Sequence, residues 1–274
     1  MLIQPEECLT AKCIGIDYVK PKYILSQFFN EILDTAQEIE EGNLDFKLER
    51  QSLTLHLGGL KIIFGVKKLT IISKIVIQKK IVKSIFGESN LSEENQIYNF
   101  WGSSFSDVPL IIQDGSEHHK ALRSFFDDTS SILSTLLDIV EDTLPEIRFV
   151  GYIQFYLIPI SSLNWTKLAD YDKQAEIGQA QMTEKVSRNR YRFPEDKTTG
   201  DQDSLIFHLH IPEEDLQRAE YAGASFDFQR WPQRPKSLKD FGEPKDLIRH
   251  LHKDSLKKIN DAELLNFMPS ERGR

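Results

Sequence analysis

The sequence predicts an α+β protein in which long amphipathic helices pack on one or more largely antiparallel sheets. Three observations lead to this fold class. A Gly-Gly hairpin at 52–66 begins a cluster of strands, strands and helices do not alternate regularly, and the segment Phe149–Ile158 is apolar on both faces. Regular alternation would instead have predicted a parallel sheet with crossover helices.

Composition sets the broad class of protein. The chain has 274 residues, of which 40% are hydrophobic and 28% charged, enough for one large domain or two small ones without crosslinks. The N-terminus lacks the basic start and apolar run of a secretory signal, and the longest apolar run, 149–160, is shorter than the roughly 20 residues of a membrane span. Cys8 and Cys13 are expected to be buried thiols in a reducing compartment. We therefore expect a cytoplasmic protein with no membrane partner.

The first 81 residues predict a strand, a helix and a set of further strands. Residues 8–19 are β-rich, and Pro21 suits the first turn of a helix over 22–41 that ends at Gly42. Segments 52–57 and 60–66 flank Gly58-Gly59, which readily supplies the positive φ angles of a hairpin turn. Residues 69–81 add one or two strands. The helix is marked by apolar residues at helical spacing: Ile24, Phe28, Phe29, Ile32, Leu33, Ala36 and Ile39.

The middle of the chain predicts a long helix followed by a central strand. A short helix at 92–101 and a strand at 108–113 come first, and the long helix then covers 117–143 until Pro145. In the strand that follows, Phe149, Gly151, Ile153, Phe155 and Leu157 should share one face. Val150, Tyr152, Tyr156 and Ile158 should share the other, so both faces of this strand are expected to be covered.

The chain divides into three predicted parts. Residues 1–160 form an α+β domain, 161–203 a polar linker or loop region, and 204–274 a smaller α+β portion that could pack on the same sheet. Within the last part we expect strands at 205–211 and 224–229 and helices at 213–221 and 244–259, with a proline-rich turn at 231–235.

The layout of the second half resembles that of a known family. A long helix precedes the strand Ile147–Gln154, and a C-terminal helix carries leucines and histidines over Leu247–His252. This is similar to an uncharacterised, sporadically distributed bacterial family of similar length, whose members typically have an Arg-x-Gly-Leu-Arg-Tyr-Ile-Asn strand here. This chain lacks the second Arg and the Asn of that strand. The family has no assigned activity, so the resemblance implies a layout of elements and no chemistry.

Charge is uneven along the chain. Segments 1–50, 51–87, 88–146 and 147–274 carry net charges of -5, +7, -10 and 0, which add to -8. The positive segment contains only lysines, seven of them between Lys61 and Lys83. These lysines could bind nucleic acid, but we favour the interpretation that they protect an edge strand from unwanted pairing, since the whole chain is acidic.

A histidine pair supplies the alternative, enzymatic hypothesis. His208 and His210 would share one face of a strand, with Glu214 close in sequence, so the three could hold a divalent metal. A third ligand would have to come from Glu214, Asp203, His118 or His119, and we expect none of them to reach bonding distance. If a metal is held, the protein would be a metal-dependent enzyme, with phosphodiester hydrolysis as the suggested reaction.

The leading hypothesis is a non-catalytic intracellular binding protein. The standard hydrolase, nucleotide-binding and zinc-protease motifs are missing from the sequence, so no enzyme class is predicted and no cofactor is expected. Arginine and aromatic side chains cluster in two turn-rich segments and suit a protein partner, with single-stranded nucleic acid as the alternative. If Trp231 were instead a core residue, the arginines would be merely solvated. The proposed binding residues are Arg188, Arg190, Tyr191, Arg192, Arg230, Trp231 and Arg234.

Overall fold

The fold consists of one large antiparallel sheet, a small parallel pair of strands and three α-helices among the described residues. The computed structural model describes residues 8–19, 25–39, 44–78, 108, 110–113, 122, 124–140, 146–159, 184–212 and 221–261. The helices are α1 (Leu25–Ile39), α2 (Phe125–Val140) and α3 (Pro244–Asp261). The strands are β1 (Leu9–Tyr18), β2 (Asp45–Leu48), β3 (Ser52–Leu57), β4 (Leu60–Gly65), β5 (Lys68–Ile72), β6 (Ile75–Gln78), β7 (Leu110–Gln113), β8 (Ile147–Pro159), β9 (Glu184–Arg192), β10 (Gln202–Pro212) and β11 (Tyr221–Trp231).

The large sheet is built outward from two central strands. Its order is β2-β3-β4-β5-β1-β8-β11-β10-β9, and every neighbouring pair is antiparallel. The strands β2 to β5 form a meander that returns to pair with β1, and β9 to β11 form a second meander that returns to pair with β8. In the central pair, Gly15 lies directly opposite Gly151. The sheet therefore has two meanders joined at one antiparallel seam.

The two faces of the sheet are covered differently. The core face carries the larger apolar cluster, which includes Ile14 from β1 and Tyr152 from β8 and is covered by α1, α2 and α3 through residues such as Ile32, Phe125 and Leu251. Among the described residues, the second face carries a smaller cluster at one end, packed against the parallel pair β6 and β7. Its buried members are Ala11, Cys13, Ile72, Ile75, Ile77, Val108, Phe155 and Leu157.

Several predictions are confirmed. The fold is α+β with a large antiparallel sheet, and β3 and β4 form the predicted hairpin, with φ angles of 57° at Gly58 and 74° at Gly59. Strand β8 is interior, and from Val150 onward its apolar residues alternate between the two clusters, with Val150, Tyr152, Tyr156 and Ile158 in the larger one and Ile153, Phe155 and Leu157 in or against the smaller one. The predicted helices at 92–101 and 213–221 lie outside the described residues, except that Tyr221 begins β11.

The prediction of long helices is wrong. The three helices have 15, 16 and 18 residues, whereas 117–143 alone was expected to supply a helix of nearly twice that length. Apolar periodicity marks the residues that face the core, but it does not mark where a helix ends, because polar flanks fit a turn equally well. None of the described helices meets the length and hydrophobicity that spanning a bilayer would require.

Two further segments differ from the sequence interpretation. Residues 184–192, within the range predicted as a polar linker or loop, form strand β9 of the large sheet. The lysine-rich segment is interpreted from sequence as a protected edge strand, but β4 and β5, which carry Lys61 and Lys68, each have neighbours on both sides, so that interpretation is wrong for these two lysines. Lys79, Lys80 and Lys83 lie outside the described residues. Lys61 is only 5% exposed on β4, since a lysine on an interior strand can bury its aliphatic stem along the sheet.

Candidate binding site on the second face of the sheet

An aromatic pair stands on the second face, at the end that β6 and β7 leave uncovered. The rings of Phe149 on β8 and Trp231 on β11 stack with centroids 4.2 Å apart and an interplanar angle of 28°. Both side chains are half-buried, and neither belongs to the two apolar clusters of the described residues. Two large aromatic side chains stacked outside a core are typical of an interaction surface.

Gln229 links this aromatic pair to charged groups. Its Oε1 accepts hydrogen bonds from Arg190 Nη2 at 3.0 Å and from Trp231 Nε1 at 3.3 Å, while its Nε2 donates to Asp227 Oδ2 at 2.7 Å. The Arg190 guanidinium also lies 6.0 Å from the centre of the Trp231 ring, a cation–π distance. Because Gln229 is 8% exposed, this network fixes the positions of the side chains that surround it. We call Phe149, Arg190, Arg192, Gln229 and Trp231 the Arg–Trp patch.

Two glycines lie opposite each other on the central strands, beside the patch. Gly15 and Gly151 face each other across the central strands, and the register continues from Gly151 to Gln229. A Cβ added to Gly15 would lie 3.1 Å from Cε of Lys68, and one added to Gly151 would lie 3.6 Å from Oδ1 of Asp227. A lysine and an aspartate side chain thus lie close to the two glycines, so this part of the second face carries both signs of charge.

The remaining predicted arginines of β9 follow the same strand register. Arg190 is paired with Ile206 and Arg192 with Ser204, and both arginines are exposed. Arg188 is paired with His208 further along the strand. Arg234 is exposed in the turn that follows β11. Strand alternation thus puts Arg190 and Arg192 on one face, and the end of β11 brings Trp231 beside Arg190.

Two of the predicted binding residues lie on the core face instead. Arg230 donates from Nε and Nη2 to the two carboxylate oxygens of Asp203 at 2.9 and 3.0 Å, and from Nη2 to Asp254 of α3 at 2.7 Å. Tyr191 packs against the larger apolar cluster. The physical reason is alternation, because adjacent strand residues point to opposite faces and Trp231 and Arg190 already occupy the second face. The structure thus separates Arg230 and Tyr191 from the Arg–Trp patch.

The histidine pair lies on β10 as predicted. His208 is paired with Ser225 and His210 with Gly223, while Glu214, His118 and His119 lie outside the described residues. Asp203 is held by Arg230 and is an odd number of residues from both histidines, which puts it on the other face. Across the described part of the chain, no three His, Cys, Asp or Glu side chains are grouped so that they could hold a metal ion.

A second polar cluster, which sequence reasoning missed, lies between the sheet and the helices. Lys12 Nζ donates to the Leu122 carbonyl at 2.9 Å and lies 4.4 Å from the centre of the Phe126 ring. The Phe126 ring also packs on His252, whose Nδ1 lies 3.1 Å from the hydroxyl of Tyr152. Burial, with a smaller effect of Lys12, lowers the pKa of His252 to about 4. Burial also raises the pKa of Tyr152, so at neutral pH the hydrogen bond joins a neutral phenol and a neutral imidazole.

This cluster holds α2 and α3 against the sheet, but it is not accessible to a ligand from solvent. Lys12 is 6% exposed and Tyr152 is fully buried, so a dissolved ligand could reach them only if the helices moved. Cys13, on the second face, is also an unsuitable reactive group, because burial raises the pKa of its thiol to about 12. The Arg–Trp patch, which combines exposed cations with aromatic rings, is therefore the best candidate site among the described residues.

Comparison with known proteins assigns neither a family nor a function to this chain. Neither the protein-family models nor the curated proteins include a match to this chain. The functional argument therefore depends on the geometry of the patch. Sequence reasoning found Arg190, Arg192 and Trp231 but missed Phe149 and Gln229. Strand alternation predicts that Phe149 lies on the face opposite Val150. Its contact with Trp231 on β11 could not be predicted from local sequence pattern.

Proposed function

We propose that this protein binds another protein, and that the Arg–Trp patch, together with Arg234 in the turn that follows β11, takes an acidic segment of that partner. The observation that carries the proposal is the stacked pair Phe149 and Trp231, which lies outside both apolar clusters with Arg190 alongside it. Arginine and tryptophan are the residue types most enriched at the energetic centres of protein interfaces. A guanidinium held in place by Gln229 loses less freedom when a carboxylate binds.

The mixture of charges supports a protein partner over nucleic acid. Asp227 belongs to the same hydrogen-bond network as Arg190, and a carboxylate there would repel a phosphate backbone. Nucleic acid carries a charge on every nucleotide, whereas a protein segment can place carboxylates opposite the arginines and apolar side chains beside Asp227 and the aromatic rings.

Photo-crosslinking from within the patch tests the proposal. A benzophenone amino acid would replace Arg234, which is exposed in the turn three residues after Trp231, or Arg249, which is exposed on α3 and contacts Asp127. In cells that make the protein, the probe at 234 should give one crosslinked protein product that the probe at 249 does not give. Adding Trp231→Ala to the 234 probe should reduce that product, because the aromatic anchor would be lost.

Three outcomes of the same experiment would contradict the proposal. Crosslinked products that nuclease treatment removes would show a nucleic-acid partner and overturn the proposal. Equal products from positions 234 and 249, or a product from 234 that Trp231→Ala leaves unchanged, would also overturn it. A thermal melt of each variant excludes unfolding as the cause of a lost product.

A further inference from the structure

A polar cleft lies on the second face of the sheet, on strands β2 to β4. Lys61 of β4 is paired with Ile72 of β5, which belongs to the smaller apolar cluster, so Lys61 lies on the second face. The cleft is separate from the Arg–Trp patch, whose residues lie on β8, β9 and β11. It has a volume of about 320 Å³, and the described part of its wall consists of Asp45, Phe46, Lys47, Glu49, Thr54, His56 and Lys61.

Strand register brings three ionisable side chains into one row across this cleft. Asp45 is paired with His56, and His56 is paired with Lys61, so a carboxylate, an imidazole and an ammonium group follow one another on three adjacent strands. Directly opposite residues of antiparallel strands share a face and have Cβ atoms about 5 Å apart. The His56 Nδ1 lies 3.4 Å from Asp45 Oδ2. The row therefore runs from a negative end on β2 to a positive end on β4.

The neighbouring row adds a second ammonium group and a hydroxyl group. Lys47 of β2 is paired with Thr54 of β3, and the Lys47 Nζ lies 2.8 Å from Glu49 Oε1. Lys47 and Lys61 offset the formal charges of Asp45 and Glu49, so the described wall has no net charge when His56 is neutral. The cleft therefore matches a ligand that carries both signs of charge.

The two signs of charge lie at different depths in the cleft. Lys61 is 5% exposed and the His56 side chain is 27% exposed, whereas the Asp45 side chain is 80% exposed and Glu49 is also exposed. Lys61 and His56 therefore belong to the floor of the cleft, and the two carboxylates belong to its rim. Water screens a charge on the floor less than one at the rim, so the floor is the stronger site for an anionic group.

We propose that this cleft binds a small zwitterion of the α-amino acid class, with the ligand carboxylate on the floor and the ligand ammonium group at the rim. Lys61 and the Thr54 hydroxyl would donate hydrogen bonds to the ligand carboxylate. Asp45 and Glu49 would accept hydrogen bonds from the ligand ammonium group.

The charges and the size of the cleft favour this class of ligand over others. A multiply charged anion would meet two carboxylates at the rim, and a metal cation would meet two ammonium groups. Phe46 is the one aromatic residue in the described wall, which offers little apolar surface for a large ligand. The volume of the cleft is near the lower end of the about 300–1,000 Å³ typical of ligand sites, as a small ligand requires.

Saturation-transfer difference NMR tests the proposal with the standard amino acids as probes. The full chain would be mixed with each amino acid at millimolar concentration, and the tightest binder would be compared with its N-acetyl and carboxamide derivatives. Each derivative removes one of the two charges of the ligand, so we expect its dissociation constant to rise at least about tenfold. The absence of a transfer signal from every amino acid would overturn the proposal. Derivatives that bind as tightly as the parent amino acid would also overturn it.

Three variants locate the binding within the chain. Lys61→Met retains the aliphatic stem but removes the charge on the floor, and it should weaken binding at least about tenfold. Thr54→Val removes the hydroxyl group with little change of shape and should weaken binding at least about fivefold. Lys68→Met, which makes the same charge change at an exposed position of β5, is the matched control and should alter the dissociation constant by less than about twofold.

The variants also define the result that would contradict this location. Equal affinity in the wild type, Lys61→Met and Thr54→Val would show that amino acids do not bind in the cleft, and would overturn the proposal. Circular dichroism reports whether each variant folds as the wild type does. If Lys61→Met does not, the comparison of Thr54→Val with Lys68→Met decides the test.

Discussion

Arg230 of β11 and Asp254 of α3 are joined by an ion pair of 2.7 Å, and the same guanidinium binds Asp203 of β10 through both of that residue's carboxylate oxygens. One side chain thus connects two strands and the C-terminal helix. The Arg230 and Asp203 side chains are 21% and 15% exposed, so the pair is only partly screened by water.

Replacing Arg230 with Ala should therefore destabilise the protein. The change leaves two carboxylates without their shared cation, and we expect the free energy of unfolding to fall by about 2–4 kcal/mol. Urea denaturation followed by circular dichroism measures this loss. Arg234→Ala, at an exposed turn position, is the matched control and should change stability by less than about 0.5 kcal/mol. Equal losses in the two variants would contradict the structural role of Arg230.

His252 should make stability depend on pH. Its pKa is lowered from 6.5 to about 4 by burial and by Lys12, so the folded state binds a proton less readily than the unfolded chain. The stabilising effect is complete above pH 6.5 and is lost as the pH falls through 4. Because the ring is only partly buried, we expect a loss of about 1–2 kcal/mol between pH 7 and pH 4.

The variant His252→Gln isolates this effect from other titrating groups. Both proteins would be unfolded in urea at several pH values between these limits. The wild type should lose more stability than the variant as the pH falls, although the variant starts lower because Tyr152 loses its imidazole partner. Parallel curves for the two proteins would show that His252 is not the titrating group responsible.

Both cysteines should resist modification in the folded protein. Cys8 is 1% exposed and Cys13 is 4% exposed, and the raised pKa of Cys13 leaves almost no thiolate at about pH 8. Ellman's reagent should release little colour from the native protein and should report both thiols, which are the only two in the chain, after unfolding in guanidinium. Fast release of one equivalent from the native protein would show that one of these sites is open.

Gly59→Ala should weaken the hairpin of β3 and β4. Gly59 has a φ of 74°, and an added Cβ would lie 2.1 Å from Cε of Lys74. We expect a loss of about 1–2 kcal/mol from the unfavourable φ and the displaced lysine. Adding Lys74→Ala should recover only the steric part. Full recovery in the double variant would show that the backbone angle carries no penalty.

Local sequence pattern predicted the positions of several strands and helices better than it predicted which strands pair with each other. The Gly58-Gly59 turn and the two-faced strand β8 follow from short-range conformational preference and burial, which the sequence shows directly. The polar strand β9 was missed because an edge strand with one open face needs few apolar residues. The contact of Phe149 with Trp231 could not be predicted, since it depends on the pairing of β8 with β11, strands far apart in sequence.

The seam between the two central strands joins two similarly connected halves of the sheet. On each side of it, a first strand is followed by a meander whose last strand returns to that first strand, and Gly15 and Gly151 sit opposite each other at the midpoint. The meander beside β1 has four strands and the meander beside β8 has three, so the described sheet is symmetric about this seam in its connectivity but not in its width. Substitution of either seam glycine by a larger residue would therefore disturb both meanders at once, because each is attached to the rest of the sheet through one of these two strands.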